Sequence, residues 1–254
     1  MNLLFDIGNS RIKWRFQQPT SLALIPGSGG GAAHAADLDG TLLQILPSAP
    51  QGIGVSSVWI ACVAKSAIAD RVQAWAEGAG LKSHRVHPGM SGLGIRHVYQ
   101  NPQKLGVDRW LAMGAAWHRT GAATGVIDAG SALTVDVVDE SGAHRGGLIM
   151  PGVSLLRASL RQGTALNWEA CDHQPGLGRD TDSAISNGIA AAMLGAVQTG
   201  IAWGNETCKP GKWLLTGGDA ALVAALLGSP VESPVEMVDD LVLEGLALLA
   251  SRNA

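Results

Sequence analysis

Two short segments, one in each half of the chain, share the pattern that most constrains the fold. They read LLFDIGNSRIKWRF (3–16) and GVIDAGSALTVDVV (125–138). Each has an apolar run, an Asp-x-Gly turn followed within two residues by a serine, and a second run with alternating residues, as in a β-hairpin. Asp128 lies 122 positions after Asp6 in a chain of 254 residues. This spacing predicts a duplication, with two similar α/β halves that each begin with the same hairpin.

The rest of the chain alternates between strand and helix patterns, which favours an α/β layer architecture. Beyond the hairpins, strands are expected at 56–63, at 82–87, in the last part of 124–152 and at 212–216. Helices are expected at 66–79, from Leu105 to about Gly121, and at 152–162, 182–203, 219–227 and 239–251. Residues 17–55 contain many Gly, Ala and Pro residues, and 26–37 reads as a loop. We place one domain at 1–117 and a second at 118–254.

Composition excludes several classes of protein. Hydrophobic residues make up 46% and charged residues 15%, and the formal net charge is −3 without a run of lysine or arginine. Binding to nucleic acid is therefore not expected. The three cysteines are isolated and the histidines lack ligand spacing, so neither a disulfide framework nor a zinc site is expected. Without a signal peptide or an uninterrupted apolar run of about eighteen residues, the sequence predicts a cytoplasmic protein with no membrane partner.

Both hairpins carry residues suited to phosphate. A glycine in each turn permits backbone angles closed to other residues, so that successive N–H groups can point at one anion. Ser10 and Ser131 add hydroxyl donors, and Lys13 adds a positive charge. Asp6 and Asp128 stand at strand ends, where a carboxylate can hold Mg²⁺ directly or through water. The alternative is a pair of ordinary hairpin turns, each with an aspartate that bonds its own turn.

A third glycine turn lies in LLTGGDA (214–220), where an apolar strand ends in Gly217-Gly218 and Asp219 is placed to cap the next helix. Glycines there allow a flat ligand such as adenine to approach the backbone, although a plain strand-to-helix turn has the same sequence. The chain contains no G-x-x-x-x-G-K-[ST] segment, which excludes a P-loop nucleotide site.

The segment YQNPQKLGVDRW (99–110) supplies candidates for the chemistry. Asp108 and Arg109 are expected at a helix start, where free N–H groups and the helix dipole favour an anion. An aspartate can accept the proton of an alcohol that attacks a γ-phosphate, and an arginine can bind a carboxylate or phosphate. The alternative is that Asp108 only stabilises the helix end and Arg109 is solvated.

Over nearly its whole length the sequence resembles the type III pantothenate kinases, a family of the actin, sugar-kinase and heat-shock-chaperone ATPase superfamily. The shared motifs are D-x-G-N-[TS]-x-x-K (6–13), Y-x-N-P-x-x-x-G-x-D-R (99–109), D-x-G-[TS]-A-x-T-x-D (128–136), G-G-x-I-x-P-G (146–152) and the L-G-x-x-T-x-x-A-I-x-x-G segment within 176–189. The resemblance implies a duplicated actin-like (ribonuclease H-like) α/β fold, with two similar domains around a nucleotide cleft.

The same resemblance implies a transferase that uses ATP to phosphorylate pantothenate, the first step of coenzyme A biosynthesis, with Asp108 as the general base. The residues matched to ATP binding are Asp6, Ile7, Gly8, Asn9, Ser10, Arg11, Ile12, Lys13 and Ser131. The residues matched to pantothenate are Tyr99, Gly106, Val107, Asp108, Arg109 and Thr181. Asp6 is matched to Mg²⁺ through water and Asp128 to a monovalent cation, K⁺ or NH₄⁺. The family also implies a homodimer.

The chain departs from the family's common pattern at Ser10 and Ser131, where threonine is usual, but serine keeps the hydroxyl. Two other interpretations remain open. One is a kinase or phosphatase of the same superfamily that acts on another small alcohol. The other is a non-catalytic, nucleotide-dependent accessory protein that regulates gene expression.

Overall fold

The chain forms two compact units in a computed structural model that describes residues 1–19, 21–33, 37–50, 54–174, 176–228 and 234–253. One unit comprises Met1–Arg119 together with Asp240–Ala254, and the other comprises Thr120–Asp239. The second unit begins close to the expected boundary at residue 117. The last segment of the chain, however, packs with the first unit and not with the second.

The secondary-structure elements follow the expected alternation. The strands are β1 Asn2–Ile7, β2 Arg11–Gln17, β3 Leu24–Ala33, β4 Ser57–Cys62, β5 Lys82–Arg85, β6 Thr124–Ala129, β7 Ala132–Val138, β8 His144–Pro151, β9 Lys212–Thr216 and β10 Val235–Met237. The helices are α1 Leu38–Ile45, α2 Ser66–Gly78, α3 Val107–Thr120, α4 Val153–Gly163, α5 Thr181–Cys208, α6 Ala220–Leu227 and α7 Leu241–Arg252. Single 3-10 turns occupy Leu46–Ser48 and Pro102–Lys104.

The two sheets have the same topology, which confirms the duplication expected from the hairpins. The first has the order β3-β2-β1-β4-β5 and the second β8-β7-β6-β9-β10. In each sheet the central strand pairs antiparallel with the next strand of its hairpin and parallel with the strand on its other side. Asp6 and Asp128 therefore occupy equivalent positions, near the carboxyl end of a central strand.

The core of the first unit follows the alternation in the sequence. Phe5, Ile7, Ile12 and Phe16 are almost fully buried and form one hydrophobic cluster with α1, α2 and β4. Helix α7 packs on the sheet and approaches α3 so closely that a Cβ on Gly245 would lie 2.2 Å from the carbonyl oxygen of Leu111. This close packing makes α7 an integral part of the first unit.

The core of the second unit is built around Trp213 on β9, which is fully buried. Its indole occupies the space left by two glycines: a Cβ would lie 2.1 Å from the ring at Gly125 and 2.6 Å from it at Gly204. Helix α5 supplies Met193 and Val197 to the same cluster. By length and apolar composition α5 could cross a membrane, yet 44% of its most apolar window is buried and it packs on β7, as a core helix does.

Three elements differ from the expectation, and all lie where composition misleads. The segment 26–37, expected to be a loop, begins with the last eight residues of β3 (its residues 34–36 lie outside the described part), and neither α1 nor β10 was expected. Trp14 explains β3: its ring lies against Gly30 on the paired strand, where a Cβ would be 2.5 Å from Cζ2. Glycine is therefore required in β3 by packing.

Candidate active site

The first hairpin turns through Gly8, Asn9 and Ser10. Ile7 pairs with Ile12, and the amide of Gly8 donates to the carbonyl oxygen of Arg11 at 3.0 Å. Gly8 does not have a positive φ, and a Cβ there would make only an ordinary 3.5 Å contact with that oxygen. The turn therefore does not use the backbone angles that glycine permits. The missing Cβ instead leaves the turn open to a neighbouring group.

The side chains around this turn divide into a buried and an exposed set. Ile7 and Ile12 belong to the hydrophobic core and are 0% and 3% exposed, so only their main-chain atoms are available to a ligand. The remaining turn residues, Asn9, Ser10 and Arg11, are exposed. A ligand at this turn would therefore meet backbone N–H groups and polar side chains.

Asp6 and Lys13 lie opposite each other on β1 and β2, both partly buried. Lys13 Nζ lies 3.9 Å from Asp240 Oδ1, at the start of α7. Arg15 binds the other oxygen of Asp240, with Nη2 at 2.8 Å and Nε at 2.9 Å. Asp240 thus restrains the cations of β2, and no local sequence pattern predicts this role, because these residues are more than 220 positions apart.

The second hairpin is one residue shorter than the first. Ala129 pairs with Leu133, and the amide of Gly130 donates to Ala132 O at 3.0 Å. Gly130, like Gly8, does not have a positive φ, and a Cβ there would lie 3.5 Å from Asp128 Oδ1. Asp128 and Ser131 flank this turn and are partly buried.

Two other glycine segments of the second unit meet this turn at very short range. Gly152, between β8 and α4, donates its amide to Ser131 O at 2.9 Å, and a Cβ on it would lie 2.1 Å from Gly130 O. Gly217 has φ +101°, and a Cβ on it would lie 2.4 Å from Ala129 O and 2.5 Å from Asp128 Oδ1. The LLTGGDA turn is therefore in direct contact with the second hairpin.

Asp108 and Arg109 lie in the first turn of α3, as expected. The carboxylate of Asp108 accepts from the amide of Arg109 at 2.7 Å, and a Cβ on Gly106 would lie 2.5 Å from its Oδ1. Glycine at 106 thus leaves room for this carboxylate, which remains partly exposed.

Arg109 is only 6% exposed, which excludes the alternative that its side chain is solvated. Its Nη1 donates to Tyr99 Oη at 2.9 Å, and its guanidinium carbon lies 5.8 Å from the centre of the Tyr99 ring. A buried arginine that holds a tyrosine beside a helix start is a preorganised site for a carboxylate or another polar group.

Thr181 lies in the second unit, at the exposed start of α5. Asp180 caps this helix and Ser183 completes a capping box, and these hydrogen bonds lower the pKa of the Asp180 carboxyl. Thr181 also lines a largely apolar groove of about 530 Å³ between α4 and α5.

The expected site residues are divided between the two units. The first unit contains the Asp6–Lys13 hairpin and the Tyr99, Gly106–Arg109 group; the second contains Asp128, Ser131 and Thr181. In the part of the chain that the structure describes, no three His, Cys, Asp or Glu side chains cluster as metal ligands. Gly152 ends the G-G-x-I-x-P-G motif, but that motif does not predict the contact of Gly152 with the second hairpin.

Comparisons with known proteins agree with this architecture. The solved structure of a Baf family transcriptional activator from Campylobacter jejuni superposes with a TM-score of 0.60 at 19% identity, covering 99% of this chain and 98% of that one. The activator of the 2-hydroxyisocaproyl-CoA dehydratase from Clostridium difficile, solved with bound ADPNP, gives 0.55 at 8% identity, with coverage of 99% and 94%. These matches show the fold, and they confirm the expected actin-like α/β class.

Sequence relatives define the family more narrowly. A type III pantothenate kinase of Alcanivorax borkumensis is 34% identical over 261 residues, which covers the whole of both chains. The family model described as type III pantothenate kinase matches residues 2–202. Since both hairpins and the Asp108–Arg109 helix start lie within that match, the chain belongs to the type III pantothenate kinase family.

Proposed function

We propose that this protein uses ATP to phosphorylate pantothenate to 4'-phosphopantothenate, the first step of coenzyme A biosynthesis. The observation that carries the proposal is the arrangement at the start of α3. A partly exposed carboxylate, Asp108, lies beside a buried arginine that is bound to Tyr99. An acceptor for a proton and a binding site for a polar substrate are thus held on one rigid element.

In the proposed reaction Asp108 accepts the proton of the primary hydroxyl of pantothenate as its oxygen attacks the γ-phosphorus of ATP. The amide of Arg109 donates to the carboxylate at 2.7 Å, which fixes its direction. Pantothenate carries a carboxylate and hydroxyl groups, and Arg109 with Tyr99 offers donors suited to both. Gly106, Val107 and Thr181 complete the proposed pantothenate set, Val107 through its main chain because its side chain is buried.

We assign ATP to the segment Asp6–Lys13, with Ser131 as a further contact. The open Gly8 turn and the exposed hydroxyl of Ser10 present donors for phosphate oxygens, and Lys13 supplies positive charge. Asp6 would hold Mg²⁺ through water, because Mg²⁺ takes oxygen ligands and usually binds through one or two carboxylates together with substrate phosphates. When bound, Mg²⁺ would neutralise charge on those phosphates.

Three finer features belong to the same proposal. Asp128 would bind a monovalent cation, K⁺ or NH₄⁺; its Oδ1 and the carbonyl oxygen of Ala129 both lie close to Gly217. The protein would act as a homodimer in the cytoplasm, where ATP is available.

Pantothenate-dependent release of ADP by the purified protein tests the proposal directly. ATP would be supplied with pantothenate and, separately, with a panel of sugars, and we expect ADP only with pantothenate. ADP release with a sugar alone would reassign the acceptor. Growth restored by the gene in cells that lack every other pantothenate kinase would test the same activity in vivo.

The role of Asp108 is tested by Asp108→Asn, which keeps the shape of the side chain but removes the base. We expect kcat to fall by roughly 10²–10⁴-fold while the Kd for ATP stays within about twofold. A kcat close to that of the wild type would remove Asp108 from its role. Asp70→Asn, at an exposed aspartate on α2, is the matched control.

A further inference from the structure

Three residues of β2, Lys13, Arg15 and Gln17, alternate along the strand and therefore share one face of the first sheet. Helix α7 packs on this sheet. Gln17 fixes it there, because its Nε2 donates to Ala247 O and to Ser251 Oγ, each at 2.8 Å. The helix is thus held beside the two cations of β2 by contacts that involve neither cation.

The carboxylate of Asp240 is turned away from its own helix. Asp240 is the N-cap residue of α7, a position at which an aspartate usually accepts from a free helix amide, yet its side chain makes no such hydrogen bond. It faces β2 instead: Oδ2 accepts from Arg15 Nε at 2.9 Å and lies 2.8 Å from Nη2, and Oδ1 lies 3.9 Å from Lys13 Nζ. Only 16% of the Asp240 side chain is exposed, so water screens these charges only in part.

The two oxygens of Asp240 hold their cations differently. Arg15 is hydrogen-bonded to Oδ2, whereas 3.9 Å is too long for a hydrogen bond, so Oδ1 attracts Lys13 Nζ without fixing it. Because Arg15 stays bound, Nζ can move toward a phosphate and the carboxylate keeps a compensating charge. A lysine side chain has much rotamer entropy to lose when it binds a ligand. An attraction that narrows its range beforehand lowers that cost.

We propose that Asp240 is a positioning residue for nucleotide binding, which holds the Lys13 ammonium in place for the triphosphate and does not itself touch ATP. The inference rests on the proposed assignment of Lys13 to ATP. By its charge alone, a carboxylate near that site repels ATP, so removal of the charge would tighten binding. Loss of a positioning contact weakens binding, and the two roles therefore predict opposite changes in affinity.

Calorimetric titration of the whole protein with ATP and Mg²⁺, without pantothenate, tests this role at about 0.15 M salt, where distant charges are largely screened. Asp240→Asn keeps an acceptor for Arg15 but removes the charge that attracts Lys13. We expect its Kd for ATP to rise about threefold to tenfold. Asp240→Glu, which keeps the charge, should lie closer to the wild type. In a Lys13→Ala background, Asp240→Asn should cause no further weakening, because the residue through which it acts is gone.

Asp39→Asn is the matched control, because Asp39 forms an exposed ion pair with Arg71 in the same unit, at 2.7 Å. It should keep the wild-type Kd for ATP, and thermal unfolding of each variant would show that the fold persists. Unchanged or tighter binding by Asp240→Asn would overturn the positioning role, and so would equal weakening with and without Lys13.

Loss of the ATP assignment and loss of the reaction are separate outcomes. If Lys13→Ala alone binds ATP as the wild type does, the assignment of Lys13 to ATP fails, and the role of Asp240 fails with it. Absence of pantothenate-dependent ADP release, together with the expected changes in Kd, would contradict only the proposed acceptor and would support the role of Asp240.

Discussion

The contact of Gly217 with the second hairpin leads to a sharp prediction for Gly217→Ala. An alanine at φ +101° is strained by roughly 1–2 kcal/mol. Its Cβ would also lie 2.4 Å from Ala129 O, which is an impossible distance, so the β9–α6 corner must move away. That movement breaks the 2.8 Å hydrogen bond from Asp219 to Ala129, worth about 1 kcal/mol.

Together these effects should lower the free energy of unfolding of the second unit by about 2–4 kcal/mol. In a protein of this size that corresponds to a fall in Tm of roughly 4–16 °C. Thermal unfolding followed by circular dichroism and by the fluorescence of the eight tryptophans measures it. We expect a loss of stability because the atoms that the new Cβ would meet include backbone atoms of Ala129, which move less easily than the end of a flexible side chain.

Gly218→Ala, one residue along, is the control. Nothing lies within 4 Å of a Cβ at Gly218, and its φ is not positive. We therefore expect a change of unfolding free energy within about 0.5 kcal/mol. Equal stability of the two variants, or a Gly217→Ala protein as stable as the wild type, would refute the packing argument.

Two further predictions concern charge. Lys13→Ala should raise the KM for ATP about tenfold or more and leave the KM for pantothenate within about twofold. The control Lys82→Ala, at an exposed strand residue, should change neither KM. Equal ATP KM values for Lys13→Ala and the wild type would contradict the assignment. Asp139→Ala should destabilise the β7–β8 turn at neutral pH, because hydrogen bonds led by the Ser141 hydroxyl lower the pKa of this carboxyl. That stabilisation is present above the unfolded pKa and is lost as the pH falls through the lowered folded pKa. The free energy of unfolding of Asp139→Ala, measured by denaturation across pH 2–7 and compared with that of the wild type, tests this, with Glu140→Ala as the control. A loss of stability in Asp139→Ala that does not change with pH would be inconsistent with this origin.

The hairpins, the alternating elements and the start of α3 were predictable because each is a local pattern. Period-two alternation placed Ile12 and Phe16 in the core, and the apolar run at 212–216 matched β9. The repetition of one motif then implied the duplicated sheet. Most of the fold was therefore present in short-range sequence signals.

The features that were missed depend on long-range packing. The glycines of β3 suggest a loop, and only the position of the Trp14 ring against Gly30 explains why they lie in a strand. The glycines of the two turns have no positive φ, whereas Gly217 does, and it lies against the backbone of the second hairpin. The link from Asp240 to Lys13 and Arg15 could not be predicted, because no local pattern connects positions so far apart.

The position of α7 has a consequence for how the protein is made. A buried polar group joins it to the first sheet: Gln17 Nε2 donates to Ala247 O at 2.8 Å and to Ser251 Oγ at 2.8 Å. During synthesis the whole second unit is therefore translated before the first can be completed. Until α7 has left the ribosome, Gln17 of the first sheet lacks these two acceptors, Ala247 O and Ser251 Oγ.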